Sequence, residues 1–273
     1  MNLKMFKIKS GVKWYKTATP LLVVAVLFAL LTIYFMIHIG YWIYSTYSAS
    51  STMDTIQTEE VVGIDVDQTD GAAPLENQMP FVSVDFTDMK KRNADITAWL
   101  KMDSVGLDIP LVQTTDNEYY LNHDLDKKTN KLGWVFFDTR SNTEFLGTNT
   151  VLYGHNAANK QMFGSLKKLL NSDPEKKEQN EIIQLTTESK EMVFQIVSVY
   201  VTEYDDWHYV QQVFTSDASK TKFLDRMREK NELKIFDRND LSVHDKYLTF
   251  STCYGPAGTT KRLVVQARLV AEK

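Results

Sequence analysis

Cysteine is almost absent: the 273 residues contain one, Cys253. A lone thiol cannot close an intrachain bridge, so a disulfide-stapled fold is excluded. In an exported protein such a group is a reactive thiol, a cross-linking site or a buried small hydrophobe. Blocks of basic charge are missing beyond the first twenty residues, and Lys+Arg 31 against Asp+Glu 35 gives a net charge of −4. That excludes the usual electrostatic footprint of a nucleic-acid binder. No internal repeat is found, and no low-complexity tract outside one acidic stretch. What is present is apolar material, 43% hydrophobic beside 24% charged, enough for one well-filled domain or two small ones and unlike a disordered or fibrous chain.

The apolar residues are unevenly spread. From Pro20 to Tyr44 there is no carboxylate, Lys or Arg, and Thr32 and His38 are the clearly polar interruptions. A helix needs about 20 residues to cross the hydrocarbon core, and this run supplies them. Tyr34, Tyr41, Trp42 and Tyr44 fall mainly toward its far end, where amphipathic rings suit an interface. Lys4, Lys7, Lys9, Lys13 and Lys16 precede it with no acidic residue, which places the N-terminus in the cytoplasm and the remainder outside. Ser48-Ala49-Ser50 offers a signal-peptidase alternative, but the run exceeds the roughly 7–15 residues of a signal core, which favours an uncleaved anchor. Without the five lysines the rest of the chain carries −9. Residues 45–80 hold seven carboxylates (Asp54, Glu59, Glu60, Asp65, Asp67, Asp70 and Glu76) and no Lys or Arg, a composition too poor in apolar area to offset its ordering entropy. The layout is a basic cytoplasmic segment (1–19), a transmembrane anchor (20–44), an acidic flexible stalk (45–80) and an extracellular domain (81–273).

Within that domain, Asp88 to Met102 reads as a helix, because Ile96, Trp99 and Leu100 fall at i, i+3 and i+4. After Asp108 the pattern changes to strands: Ile109–Gln113, Trp134–Asp138, Asn149–Gly154, Glu181–Thr186, Met192–Glu203, Lys246–Cys253 and Arg262–Ala271 are short and rich in β-branched and aromatic residues. Seven or more such strands predict an all-β dominated domain closed, or nearly closed, into a barrel. One helical insertion interrupts them at Ser216 to Asn231. There Ser216 can cap, Asp217 suits the positive end, and Phe223, Leu224 and Met227 share a face.

The chemistry concentrates at the C-terminal hairpin. Side chains alternate along a strand, so Leu248 and Phe250 share a core face while Tyr247, Thr249, Ser251 and Cys253 face the open side. On the next strand Leu263, Val265, Ala267 and Leu269 take the core face, which turns Arg262, Gln266 and Arg268 outward. Eight residues, Tyr254 to Lys261, join the two strands. Antiparallel pairing then sets the thiol and the guanidinium at the loop mouth, a few ångströms apart. A neighbouring cation favours the thiolate, and Arg stays charged and offers several donors to an oxyanion. The bland alternatives are a buried structural cysteine and a solvated edge charge.

A nucleophilic thiol also needs a proton carrier. His38 lies in the apolar run, and His123 and His244 sit in polar segments, LNHDLD and SVHDKY. His155 and His208 remain. His155 ends the apolar strand Val151–Tyr153 after Gly154, a residue that permits close approach or a sharp turn, while His208 follows Asp205, Asp206 and Trp207 in a loop at a strand end.

These segments together resemble the sortases, membrane-anchored cysteine transpeptidases of Gram-positive bacteria, and class B most of all. The resemblance rests on LYGHN at 152–156 with Met162-Phe163 and Leu166, TFSTC at 249–253 with Arg262, IPLVQTTDNEYYL at 109–121 and GWVFFD at 133–138. It implies a closed eight-stranded barrel with an N-terminal helix and a long 204–232 connection whose helix helps wall a substrate groove. It implies Cys253 as nucleophile, His155 as general acid/base and Arg262 as oxyanion stabiliser, with Leu121, Ser251 and Tyr254 as groove residues. No metal or other cofactor is implied, since the calcium site of class A is not a class B feature. Phe250 stands where the commoner TLST pattern has Leu, a tolerable volume change on the core face.

The implied reaction cleaves a C-terminal sorting motif of a secreted protein after Thr through a thioacyl-enzyme. It then transfers the protein to an amine of the peptidoglycan precursor, with hydrolysis as a side activity. A pilin lysine is the alternative acceptor, and a non-catalytic wall-binding or sensor domain is the alternative of another class. A papain-like protease would carry Cys before His, whereas His155 precedes Cys253, and the QAC-type signature of caspases is missing.

Overall fold

A computed structural model of the chain describes residues 15–59, 81–144, 146–171, 182–231, 240–256 and 258–273. The chain divides into two units, Met1–Tyr47 and Ser48–Lys273.

Helix α1, Tyr15–Glu59, supplies the described part of the first unit and continues past its boundary at Tyr47. Within it Leu22–Tyr44 is a 23-residue stretch of mean hydropathy 2.6 with no residue buried. At about 1.5 Å per residue it is long enough, and apolar enough, to cross a bilayer. Of the two polar interruptions, Thr32 is satisfied within the helix, its Oγ1 donating to the Phe28 carbonyl at 2.6 Å. The helix does not stop at Tyr44, so residues 45–59, expected to be an unstructured stalk, are helical. Ser, Thr and Met in STYSASSTMDTIQTE carry no breaker, since Gly and Pro first recur beyond Glu59. The remainder of the stalk, 60–80, and the first fourteen residues of the basic segment lie outside the described residues.

The second unit is a closed barrel in the order β1-β2-β3-β4-β7-β8-β6-β5. Its strands are β1 Ile96–Met102, β2 Leu107–Val112, β3 Phe136–Phe137, β4 Asn149–Tyr153, β5 Ile182–Thr187, β6 Glu191–Glu203, β7 Tyr247–Cys253 and β8 Lys261–Glu272. The pairs β2–β3 and β4–β7 are parallel and the others antiparallel. Closure is made by β1 against β5, Leu100 opposite Leu185.

β1 corrects the expected 88–102 helix. Only α2, Thr87–Arg92, is helical there. Ile96, Ala98, Leu100 and Met102 are all buried at 0% exposure, the two-residue period of a strand facing the barrel interior. Trp99 is buried on the opposite face, where its Nε1 donates to Asp108 at 2.6 Å. One buried ring on the outer face converted a period of two into an apparent helical stripe.

The core runs through the barrel and draws Leu100, Ile109, Phe137, Leu152, Phe194, Phe250 and Val265 from seven strands. Phe250 meets Phe163 edge-on, ring centroids 5.6 Å apart, so the larger ring is accommodated by an aromatic pair. Helix α3, Asp217–Lys230, lies outside the barrel between β6 and β7 in sequence. Its first turn is closed by a capping box, Ser216 accepting from the Ser219 N–H while Ser219 Oγ accepts from the Ser216 N–H. The predicted face of Phe223, Leu224 and Met227 is buried with Val197 and Tyr247, each such side chain contributing about 1.5–3 kcal/mol of burial.

Candidate active site

Strand register determines which side chains meet. On β7 and β8, Cys253 is opposite Arg262; one strand further, Arg262 is opposite Thr202 of β6. On the other flank β4 runs parallel to β7 with Tyr153 level with Ser251, and the chain leaves the strand there, carrying His155 two residues beyond it. Residues in register point to the same face. Thiol and guanidinium thus face each other across β7 and β8, and imidazole, thiol and guanidinium all line a groove of about 410 Å³.

That outer face is less open than its polar residues imply. Tyr247, Thr249, Ser251 and Gln266 are all under 5% exposed. Helix α3 covers Tyr247, and the connection after β6 covers the rest: Asn149 Nδ2 donates to the carbonyls of Tyr209 and Gln211 at 3.0 and 2.8 Å, and Thr249 Oγ1 donates to Asn149 Oδ1 at 2.7 Å. Among the described residues, the Ser251–Cys253 end lines an open groove. The correction to the expected open side is that polarity here reflects buried hydrogen bonding, not solvent.

Cys253 is a half-buried free thiol. Arg262 uses Nη1 on the carbonyls of Thr259 and Lys261, at 3.3 and 3.1 Å, and lies 6.0 Å from the Tyr204 ring centroid. Among the described residues no carboxylate pairs with it, which leaves donors of the guanidinium for a bound anion or oxyanion. His155 is half-buried, its Nε2 2.7 Å from the Leu121 carbonyl. Gly154 before it is required for close approach: a Cβ there would stand 2.9 Å from the Phe163 ring and 3.1 Å from Val135.

Leu121, 40% exposed, and Ser251 line the groove. Tyr254 does not. One residue beyond Cys253 it turns to the other face and packs against the main core. His208, the second candidate proton carrier, is held by Asp206 (Nδ1 to Oδ1, 3.0 Å) and stacks on Trp207 in a separate cavity of about 600 Å³. His123 stacks on Tyr119, and His244 is in an exposed turn.

Six further walls were not anticipated from the sequence: Asn117, Phe136, Tyr153, Gly154, Tyr209 and Thr252. Tyr153 had a signal, standing two residues before His155 and hence on its face. Its hydroxyl donates to Asp138 at 2.9 Å, and the same carboxylate receives the Arg140 fork (Nε 2.9 Å, Nη2 2.7 Å) and the Arg140 N–H. Burial raises the Asp138 carboxyl, but these partners outweigh it and hold the group at about 2. Arg140 also reaches the Val210 carbonyl at 3.4 Å, so one buried anion ties the end of β3, β4 and the connection carrying Tyr209. Tyr209 could not be anticipated from local pattern. Burial raises its phenol, opposed by the hydrogen bond with Ser251 and the charge of Arg262.

A family model described as a sortase domain matches residues 100–270. Sortase B of Staphylococcus aureus is 31% identical over 197 residues, 72% of this chain and 79% of that protein. A solved Staphylococcus aureus sortase B–substrate complex is similar at a TM-score of 0.61 and 26% identity, covering 85% of this chain and 94% of that one. A sortase B complexed with triglycine is similar at 0.61 and 30%, covering 68% and 85%.

Proposed function

This chain belongs to the sortase family, among the class B cysteine transpeptidases, and from that premise we propose that it cleaves a C-terminal sorting motif after Thr and joins the released protein to an amine of the cell wall. Cys253 as thiolate attacks the Thr carbonyl, forming the S–C bond. The oxyanion that develops faces the Arg262 guanidinium. Collapse breaks the amide bond, the departing amine takes a proton from His155, and a thioacyl-enzyme remains. The acceptor amine then attacks the thioester, gives its proton to His155 and releases Cys253 as thiolate. The observation that carries this reading is that His155, Cys253 and Arg262 line one groove, with Cys253 opposite Arg262 across β7 and β8, and Leu121 and Ser251 beside them are the substrate walls of this proposal.

The apolar stretch of α1 serves as the anchor, with the lysine-rich end in the cytoplasm, residues 45–80 as spacer and 81–273 as the extracellular catalytic domain. Both the sorted protein and the wall precursor reach that membrane face. That a relative was solved with triglycine supports a peptide N-terminal amine over a pilin lysine as acceptor.

Cys253→Ala is expected to abolish peptide cleavage and the acyl adduct seen by mass; intact cleavage would end the proposal. Arg262→Lys keeps charge but loses the planar fork, and kcat should fall by roughly 10²-fold, whereas an unchanged kcat/KM would remove Arg262 from the oxyanion role. Product analysis with triglycine, with a lysine amine and with neither separates the acceptors from plain hydrolysis.

A further inference from the structure

The contact between His155 and the Leu121 carbonyl limits what the imidazole can do. A carbonyl oxygen only accepts, so Nε2, 2.7 Å away, carries a hydrogen whether the ring is neutral or charged. In the neutral ring the lone pair then resides on Nδ1. Among the described residues no carboxylate is bonded to His155, so no acidic side chain performs this orienting role.

The carbonyl itself is braced. Leu121 ends the 3-10 turn Tyr119–Leu121, whose N–H groups at Glu118 and Tyr119 are received by Asp116 Oδ1 at 2.8 and 2.7 Å. The segment leading into β3 comes back against it. Trp134 N–H donates to the Tyr120 carbonyl at 2.8 Å, and Asn130 N–H donates to the Asn122 carbonyl at 2.8 Å. Between these contacts stands Gly133, with φ +56; a Cβ there would lie 2.3 Å from the Tyr120 oxygen and 2.8 Å from the Leu121 oxygen. Only a residue without a side chain lets the two backbones meet, at the Tyr120 oxygen and right beside the Leu121 oxygen that holds His155.

We propose that the Leu121 carbonyl, held in place by Gly133, is the positioning group for His155. It pins Nε2–H to the groove wall and makes Nδ1 the atom that gains and loses the proton in both halves of the reaction. Leu121 thus contributes through its backbone as well as its side chain, and Gly133 is a positioning residue that never touches substrate. The role of Nδ1 in turnover rests on the acyl-transfer reading, but the tautomer does not.

The test is long-range proton–nitrogen NMR of the full chain labelled at histidine, above the pH at which the rings titrate, with His155→Gln to assign the signals. A pyridine-type nitrogen at Nδ1 and a protonated Nε2 for His155 are expected. A pyridine-type Nε2, or a mixture of tautomers, would overturn the proposal. Leu121→Ala keeps the carbonyl and should leave the tautomer as in the parent; a switched tautomer would show that the side chain sets the ring, and would overturn it as well. Gly133→Ala, provided it folds, should release the tautomer and lower kcat by on the order of 10- to 100-fold, the scale of a misplaced catalytic group. A folded Gly133→Ala with the parent tautomer refutes the bracing. Because the spectra need no turnover, an inactive enzyme with the expected tautomer would count against acyl transfer and not against this assignment.

Discussion

Asp138 is the group whose removal tests how the fold holds the groove. Its carboxylate has 0% exposure and accepts four hydrogen bonds, three from Arg140 and one from Tyr153. With a folded pKa of about 2 against ~3.9 unfolded, linkage assigns it about 2–3 kcal/mol at neutral pH. The Arg140 side chain is 52% exposed, so solvent screening lowers the expected value to about 1–2 kcal/mol. The folded pKa is depressed, so this stability is fully present above the unfolded value and is lost as pH falls toward about 2; about half should persist at pH 3. Urea unfolding of the parent and Asp138→Asn at pH 7, 5, 4 and 3 reads it directly. The stability difference should be about 1–2 kcal/mol at pH 7 and 5 and shrink by about half at pH 3. Asp206, also held at about 2, contributes equally to both proteins and cancels in the difference. A difference that stays constant from pH 7 to pH 3 would refute the charge-based account and leave only shape.

Two further perturbations probe the scaffold. Phe250→Ala empties a site at 0% exposure beside Phe163 and should cost about 3–5 kcal/mol, while Phe250→Leu should cost about 1 kcal/mol and keep kcat/KM, both read by denaturant melts with a peptide-cleavage assay. Ser216→Ala removes the cap of α3 and should lower stability by about 1 kcal/mol without changing cleavage; a thermal melt that does not move would show that the helix end is held by its packing alone.

Local patterns carried much of this protein. The apolar run before Tyr44, the cap and buried face of α3, and the alternation of β7 and β8 each depend on residues a few positions apart, where the physics of helix ends, strand pleats and bilayer thickness acts directly. The eight-residue link between Cys253 and Arg262 was legible for the same reason, since a hairpin sets its own register. His155 was legible only as one of two candidates until the resemblance of LYGHN and TFSTC to the sortases was weighed.

Burial on both faces of a strand, by contrast, was hidden. Trp99 made β1 look helical because a ring covered on the outside of the barrel cannot be told from one buried inside. Tyr209 and the Asp138 clasp depend on a connection laid over β4 and β7, some sixty residues from its partners in Asn149. Those contacts come from barrel closure, which brings distant segments together by long-range pairing that no local window contains. The residue types were thus written into the chain, whereas only the tertiary structure put His155 on one groove with Cys253 and Arg262 and left His208 in another cavity, because β4 lies beside β7 and the backbone at Gly133 rests on the 119–121 turn.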